Sequence, residues 1–135
     1  MKYLQDYMSA RQTVALDKAG AFFAFSQKQF EESKKPDVVY VNGHAGMICP
    51  KDTINTLLKE LDDIYKESIK QDIEENGAKA IIIRELNNHE AYYTGDIEST
   101  VDTLTDYPYP ITIENIQKIF KDKNYELATN VWKPL

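Results

Sequence analysis

PKDTINTLLKELDDIYKESIKQDIEENGAKAIIIRELNNHEAYY, residues 50–93, is the stretch whose reading decides the fold. It holds one proline, at its first position, and one glycine, Gly77. Ile54, Leu57, Leu58, Leu61, Ile64, Tyr65, Ile69 and Ile73 recur at threes and fours, the spacing that gathers side chains on one helical face. Pro50 suits a first turn, Asp52 suits the positive end of the dipole, and Asn76-Gly77 supplies a stop. A helix of about six turns is therefore predicted. Ala78 to Leu86 reads two ways, because Ile81-Ile82-Ile83 suits a buried strand while Ile82, Leu86, His89 and Tyr93 share a helical face. No turn signal falls between Gly77 and Thr94, which favours the helix.

Upstream, Tyr3, Leu4, Tyr7 and Met8 predict a short helix that ends before Arg11. Thr13 to Leu16 and Ala21 to Phe25 flank Asp17-Lys18-Ala19-Gly20 and read as a hairpin with a four-residue turn. Ser26 with Gln29 forms a capping box for a helix through Phe30 and Glu32, which Lys34-Lys35-Pro36-Asp37 ends. Val38 to Val41 is the clearest strand, and Asn42-Gly43 calls for a type I′ turn with a return strand over His44 to Ile48. Downstream, Asp96 caps a helix that aligns Ile97, Val101 and Leu104. Tyr107-Pro108-Tyr109-Pro110 makes an extended break, and Thr112 caps a last helix through Ile116, Ile119 and Phe120. The tail, Tyr125 to Leu135, carries the only tryptophan, Trp132, and is expected to pack back on the rest. The expected class is α+β: a small antiparallel sheet from two hairpins, with a helical C-terminal half packed on one face.

A length of 135 residues fits a single globular domain, 1–135, with one core. At 42% hydrophobic and 28% charged, the composition argues against disorder. The lone Cys49 excludes an intramolecular disulfide and is too few for a cysteine-based zinc site, so a reducing compartment, the cytoplasm, is expected. The first residues lack the basic flank and apolar run of a signal peptide, and no eighteen consecutive apolar residues occur. No membrane partner is therefore expected. The net charge is −6, of which −5 belongs to residues 51–96. That balance argues against direct binding to nucleic acid, whose affinity comes from lysines and arginines that displace counterions.

Two surfaces are candidates for recognition. Glu60, Asp63, Glu67 and Glu74 fall at near-helical spacing and form an acidic side that suits a basic partner, although Lys59, Lys66 and Lys70 interrupt it. Tyr92, Tyr93, Tyr107 and Tyr109 are rings that give large contact areas at low entropic cost. For chemistry, Glu85 and His89 lie one helical turn apart, with Glu90 and Asp96 nearby, and histidine titrates near neutrality. A zinc-protease motif needs a second histidine at position 93, which is tyrosine. Cys49 with His44 lacks any spacing that implies a nucleophile and its base, and Cys49 reads as a small buried residue at a strand-to-helix junction. Gly43-His44-Ala45-Gly46 precedes a strand and makes a poor phosphate cradle. No cofactor or metal is expected.

Ala21-Phe22-Phe23-Ala24-Phe25-Ser26 with Gln29-Phe30-Glu31-Glu32, and Asn88-His89-Glu90-Ala91-Tyr92-Tyr93-Thr94-Gly95-Asp96, resemble segments of a family of small uncharacterised proteins of bacteria and their phages. The resemblance runs from about Ala19 to Phe120 and carries no activity. It implies a mobile-element setting, in which small acidic proteins bind and disable host machinery. The expected function is thus non-enzymatic: a phage-type accessory or inhibitor, of counter-defence type, that docks on a protein or ribonucleoprotein with a basic surface. The alternatives are a small hydrolase or metal-dependent enzyme centred on Glu85, His89, Glu90 and Asp96, and a structural accessory protein that self-associates through the same helices.

Overall fold

The computed structural model describes residues 1–43 and 45–122. His44 and the Tyr125 to Leu135 tail with Trp132 lie outside the described residues. The chain has the expected α+β class, and it falls into two compact units, residues 2–68 and residues from 69 onward.

The first unit opens with α1 (Leu4–Ala19), which occupies the segment expected to hold a short helix and the first arm of a hairpin. The four residues read as a turn are instead its C-terminal end. Gly20 adopts the left-handed conformation (φ 76°), its N–H donates to Asp17 O at 3.1 Å, and Ala21 N–H donates to Leu16 O at 2.9 Å. This is the Schellman arrangement, which needs a glycine at that point because a Cβ is strained at positive φ. Thr13 to Leu16 therefore form no strand. At the other end, Asp6 accepts the N–H of Tyr3 at 2.8 Å, which satisfies one of the orphan donors.

The three strands are β1 (Phe22–Phe23), β2 (Tyr40–Asn42) and β3 (Met47–Pro50), ordered β1-β3-β2 and antiparallel throughout. One hairpin joins β2 to β3, and β1 completes the sheet on the far side of β3. The hairpin turn sits later than Asn42-Gly43: positive φ falls at Ala45 (54°) and Gly46 (81°), and Gly43 N–H donates to Met47 O at 2.7 Å. Gly46 is needed twice over, since a Cβ there would also stand 2.5 Å from the ring of Phe25. Pro50 ends β3 and does not begin a helix. It faces Tyr40 between the bonded pairs of the ladder, and β1 stops at Phe22 opposite Ile48, so its missing N–H leaves no ladder bond unmade.

Register sorts the side chains to two faces. Phe22, Ile48 and Tyr40 share one, where α2 (Gln27–Ser33) places Phe30; the Phe22, Phe30 and Tyr40 rings meet with centroids 5.4–6.3 Å apart. Ser26 Oγ accepts Gln29 N–H at 3.2 Å as expected, while the Gln29 side chain reaches back to Phe25 N–H at 2.6 Å. Met47 and Cys49 occupy the opposite face and form the core with Ala15 of α1 and Leu57 of α3 (Ile54–Asn76). Thr53 Oγ1 donates to Ala19 O at 2.7 Å and tethers the start of α3 to the end of α1.

The second unit takes the C-terminal part of α3 and adds α4 (Ala78–Asn88), α5 (Ala91–Thr94), α6 (Glu98–Thr103) and α7 (Ile113–Lys121). The helical reading of residues 78–86 is correct. Ile81, Ile82 and Leu86 are fully buried, and α4 is the element that α5, α6 and α7 touch. A helical face running from Ile82 to Tyr93 does not form, because Glu90 turns left-handed (φ 55°) and separates α4 from α5. The expected extended break over Tyr107 to Pro110 runs into a turn over Pro108 to Ile111, where Ile111 N–H donates to Pro108 O at 2.9 Å. Thr112 caps α7 through Asn115 N–H at 3.2 Å, and Asp96 accepts Glu98 N–H at 2.9 Å at the start of α6, both as the sequence predicts.

Leu57 is 1% exposed whereas Leu61 on the same stripe is only half-buried. Leu57→Ala is expected to cost about 2–5 kcal/mol, the usual range for truncating a buried leucine, and Leu61→Ala less. Denaturant midpoints of the two variants against the parent check the ranking.

Candidate functional site

The acidic side of α3 is the first candidate. Asp63, Glu67 and Glu74 are exposed, and none makes an ion pair among the described residues. Glu60 is half-covered and meets Lys18 Nζ of α1 at 3.3 Å. Of the interrupting lysines, Lys66 pairs with Asp62 at 2.8 Å, so it neutralises a carboxylate outside the stripe. Asp63 and Glu67 therefore face solvent without an ion pair among the described residues, although Lys66 also attracts Asp63 at longer range.

The tyrosines separate by burial. Tyr93 is 92% exposed and Tyr109 66%, so both offer their rings to solvent. Tyr92 is half-buried, its ring stacked on Phe120 with centroids 5.4 Å apart. Tyr107 is 6% exposed and belongs to the interior, which removes it from the expected docking surface.

Tyr107 leads to a buried polar network that the sequence reading missed. Asp72 on α3, with no exposed surface, accepts two bonds from Arg84 of α4: Nη1 to Oδ1 at 2.8 Å and Nη2 to Oδ2 at 2.9 Å. Asn76 Nδ2 adds a bond to Oδ1 at 2.7 Å, and Tyr107 OH adds one to Oδ2 at 2.6 Å. The remaining edge of the guanidinium, Nε, donates to Glu85 Oε2. Burial works against the Arg84 charge, yet the hydrogen bonds it donates to Asp72 and Glu85 outweigh it and hold its pKa above the ordinary value. Burial, then the bond to Asp72, pushes the Tyr107 hydroxyl up as well. A sequence signal existed: Ser68 and Asp72 continue the apolar stripe of α3 by one and two turns, at positions where a leucine is expected.

Glu85 and His89 do come together. Glu85 Oε1 lies 3.6 Å from His89 Nε2, and Thr103 Oγ1 of α6 lies 3.0 Å from the same nitrogen. A relay of nucleophile, histidine and carboxylate uses both ring nitrogens, one for each partner. Here the hydroxyl and the carboxylate share one nitrogen, so Glu85 does not orient His89 toward Thr103 in that manner. Glu90 is exposed in its left-handed turn, and the exposed Asp96 spends one oxygen on the α6 backbone. Among the described residues no three His, Cys, Asp or Glu side chains gather as a metal site. Cys49 is wholly buried against Thr53, as a small core residue.

The network predicts an alkaline response. The folded state holds the Tyr107 proton above the ordinary value of 10.0, so this bond contributes fully below about pH 10. Its contribution is lost as pH rises further, because the unfolded chain gives up a proton that the folded chain keeps. Tyr107→Phe is expected to cost about 1.5–3 kcal/mol at neutral pH, the range for a hydrogen bond to a charged group, and to flatten the loss above pH 10. Urea melts of parent and variant between neutral and alkaline pH check both outcomes.

Comparison with known proteins agrees with a family of unknown function. No curated protein and no solved structure matches the chain. The family match extends over residues 4–128 and so takes in every described helix and strand. By that match, the chain belongs to the DUF7659 family, a family of unknown function.

Proposed function

We propose that this chain is a non-enzymatic binding protein that docks on a basic surface of a protein or ribonucleoprotein through the acidic side of α3. The observation that carries the reading is the pair Asp63 and Glu67, exposed one turn apart and without an ion-pair partner among the described residues. Exposed carboxylates held on a regular helix form a rigid array that attracts opposite charge over about a Debye length, near 10 Å at 0.1 M salt. The overall charge of −6 adds a long-range field of the same sign. In the second unit, the exposed Tyr93 and Tyr109 are rings of the kind that anchor interfaces. The biological role that fits such a surface is an accessory or inhibitor of phage or mobile-element origin, working in the host cytosol against a host or defence component.

Affinity capture from a bacterial host lysate, with Asp63→Lys/Glu67→Lys beside the parent, tests the reading. Both positions are exposed, so the double variant is expected to keep the parental melting temperature while losing its partner by about tenfold or more in affinity. The parental complex is expected to weaken steadily between roughly 50 and 500 mM salt. A partner held equally well by the variant and at high salt overturns the proposal.

A further inference from the structure

The core of the first unit leaves a concavity unfilled. Leu16 of α1, Phe23 of β1, Met47 of β3 and Ile54, Leu58 and Leu61 of α3 line a groove of about 540 Å³. Protein interiors pack to crystal density and keep few voids larger than a water molecule, so a space of this size is a feature of the surface and not slack in the core. Its volume lies within the range of small-molecule sites, about 300–1,000 Å³. Leu58 and Phe23, each 50% exposed, stand in two of its walls and keep apolar surface in water that an occupant would cover.

The lining also sets the chemistry of that occupant. Among the described residues it contains no charged side chain, so an ionised ligand would lose hydration with nothing to replace it. Gln12 of α1 brings a side-chain amide to the lining, whereas Asn42, paired with Ile48, turns its side chain to the opposite face of the sheet. Gln12 Oε1 already accepts from Gln5 Nε2 at 3.0 Å, which leaves its NH₂ group to donate. Leu58 and Asp63 are five residues apart, about 140° around the helix, so the groove is separate from the acidic side of α3. We propose that this groove binds a neutral, mostly apolar small molecule bearing one hydrogen-bond acceptor that Gln12 meets.

The full chain is titrated with N-phenyl-1-naphthylamine, a neutral probe that fluoresces in apolar surroundings, and the bound probe is then competed with 1-decanol or with decanoate. Saturable binding at one site per chain is expected, with displacement by the alcohol at concentrations at least about tenfold below those of the carboxylate. Leu58→Glu puts a charge in the lining and is expected to weaken the probe by about tenfold or more. Phe23→Ser on the opposite wall is expected to weaken it too, which guards against a variant that merely unfolds. Val39→Ser, at a site 68% exposed and outside the groove, leaves binding unchanged. Absence of saturable binding, equal competition by decanoate, or indifference to both groove variants overturns the proposal. So does sedimentation showing a dimer that Leu58→Glu dissociates, since a second copy would then cover the groove.

Discussion

The stripe that α3 turns inward changes character along its length, and both units answer to that change. A 23-residue helix gains little from its own hydrogen bonds in water and must bury one side to persist. Over its first turns that side is Ile54, Leu57, Leu61 and Ile64, which β3 and α1 cover with Met47, Cys49 and Ala15. From Ser68 onward it includes a serine and an aspartate, both without exposed surface. A hydrophobic cover would leave the Asp72 carboxylate stranded, at a cost that no neighbouring leucine offsets. The second unit instead meets it with the guanidinium of Arg84, the amide of Asn76 and the phenol of Tyr107.

Such a network is costly to break at any one point. Pairs of buried charges often add little against an apolar core of equal volume, but losing one partner strands the other. The two-pronged contact of Arg84 with Asp72 has a fixed geometry, and Tyr107 comes from the segment after α6. Three parts of the second unit are thus held in one register by a single carboxylate. Glu85 also lies beside His89, whose Nε2 is 3.0 Å from Thr103 Oγ1, so His89 and Thr103 meet at the edge of the same cluster.

What could be read from the chain followed the strength of local signals. The long helix, its stop at Gly77, and the caps at Ser26, Asp96 and Thr112 rest on spacing and hydrogen-bonding chemistry confined to a few residues. Gly20 was ambiguous because glycine serves equally as a turn residue and as the left-handed end of a helix; what decides between them is Ala15 facing Cys49 and Leu57, a contact distant in sequence. Glu90 gave no warning, since a left-handed glutamate is held by its surroundings and not by propensity. Arg84 and Asp72 are twelve residues apart, and their pairing depends on how α4 folds against α3. For the candidate sites, the acidic spacing on α3 was legible, whereas burial of Tyr107 and the groove beside Leu58 exist only in three dimensions.

The position of Cys49 has a practical corollary. The sequence holds one thiol, and it sits on the central strand with no accessible surface. An alkylating reagent can reach it only when the sheet and the helices over it part. The rate at which that sulfur is trapped therefore reports how often the first unit opens, and turns a lone core residue into a built-in clock for local breathing.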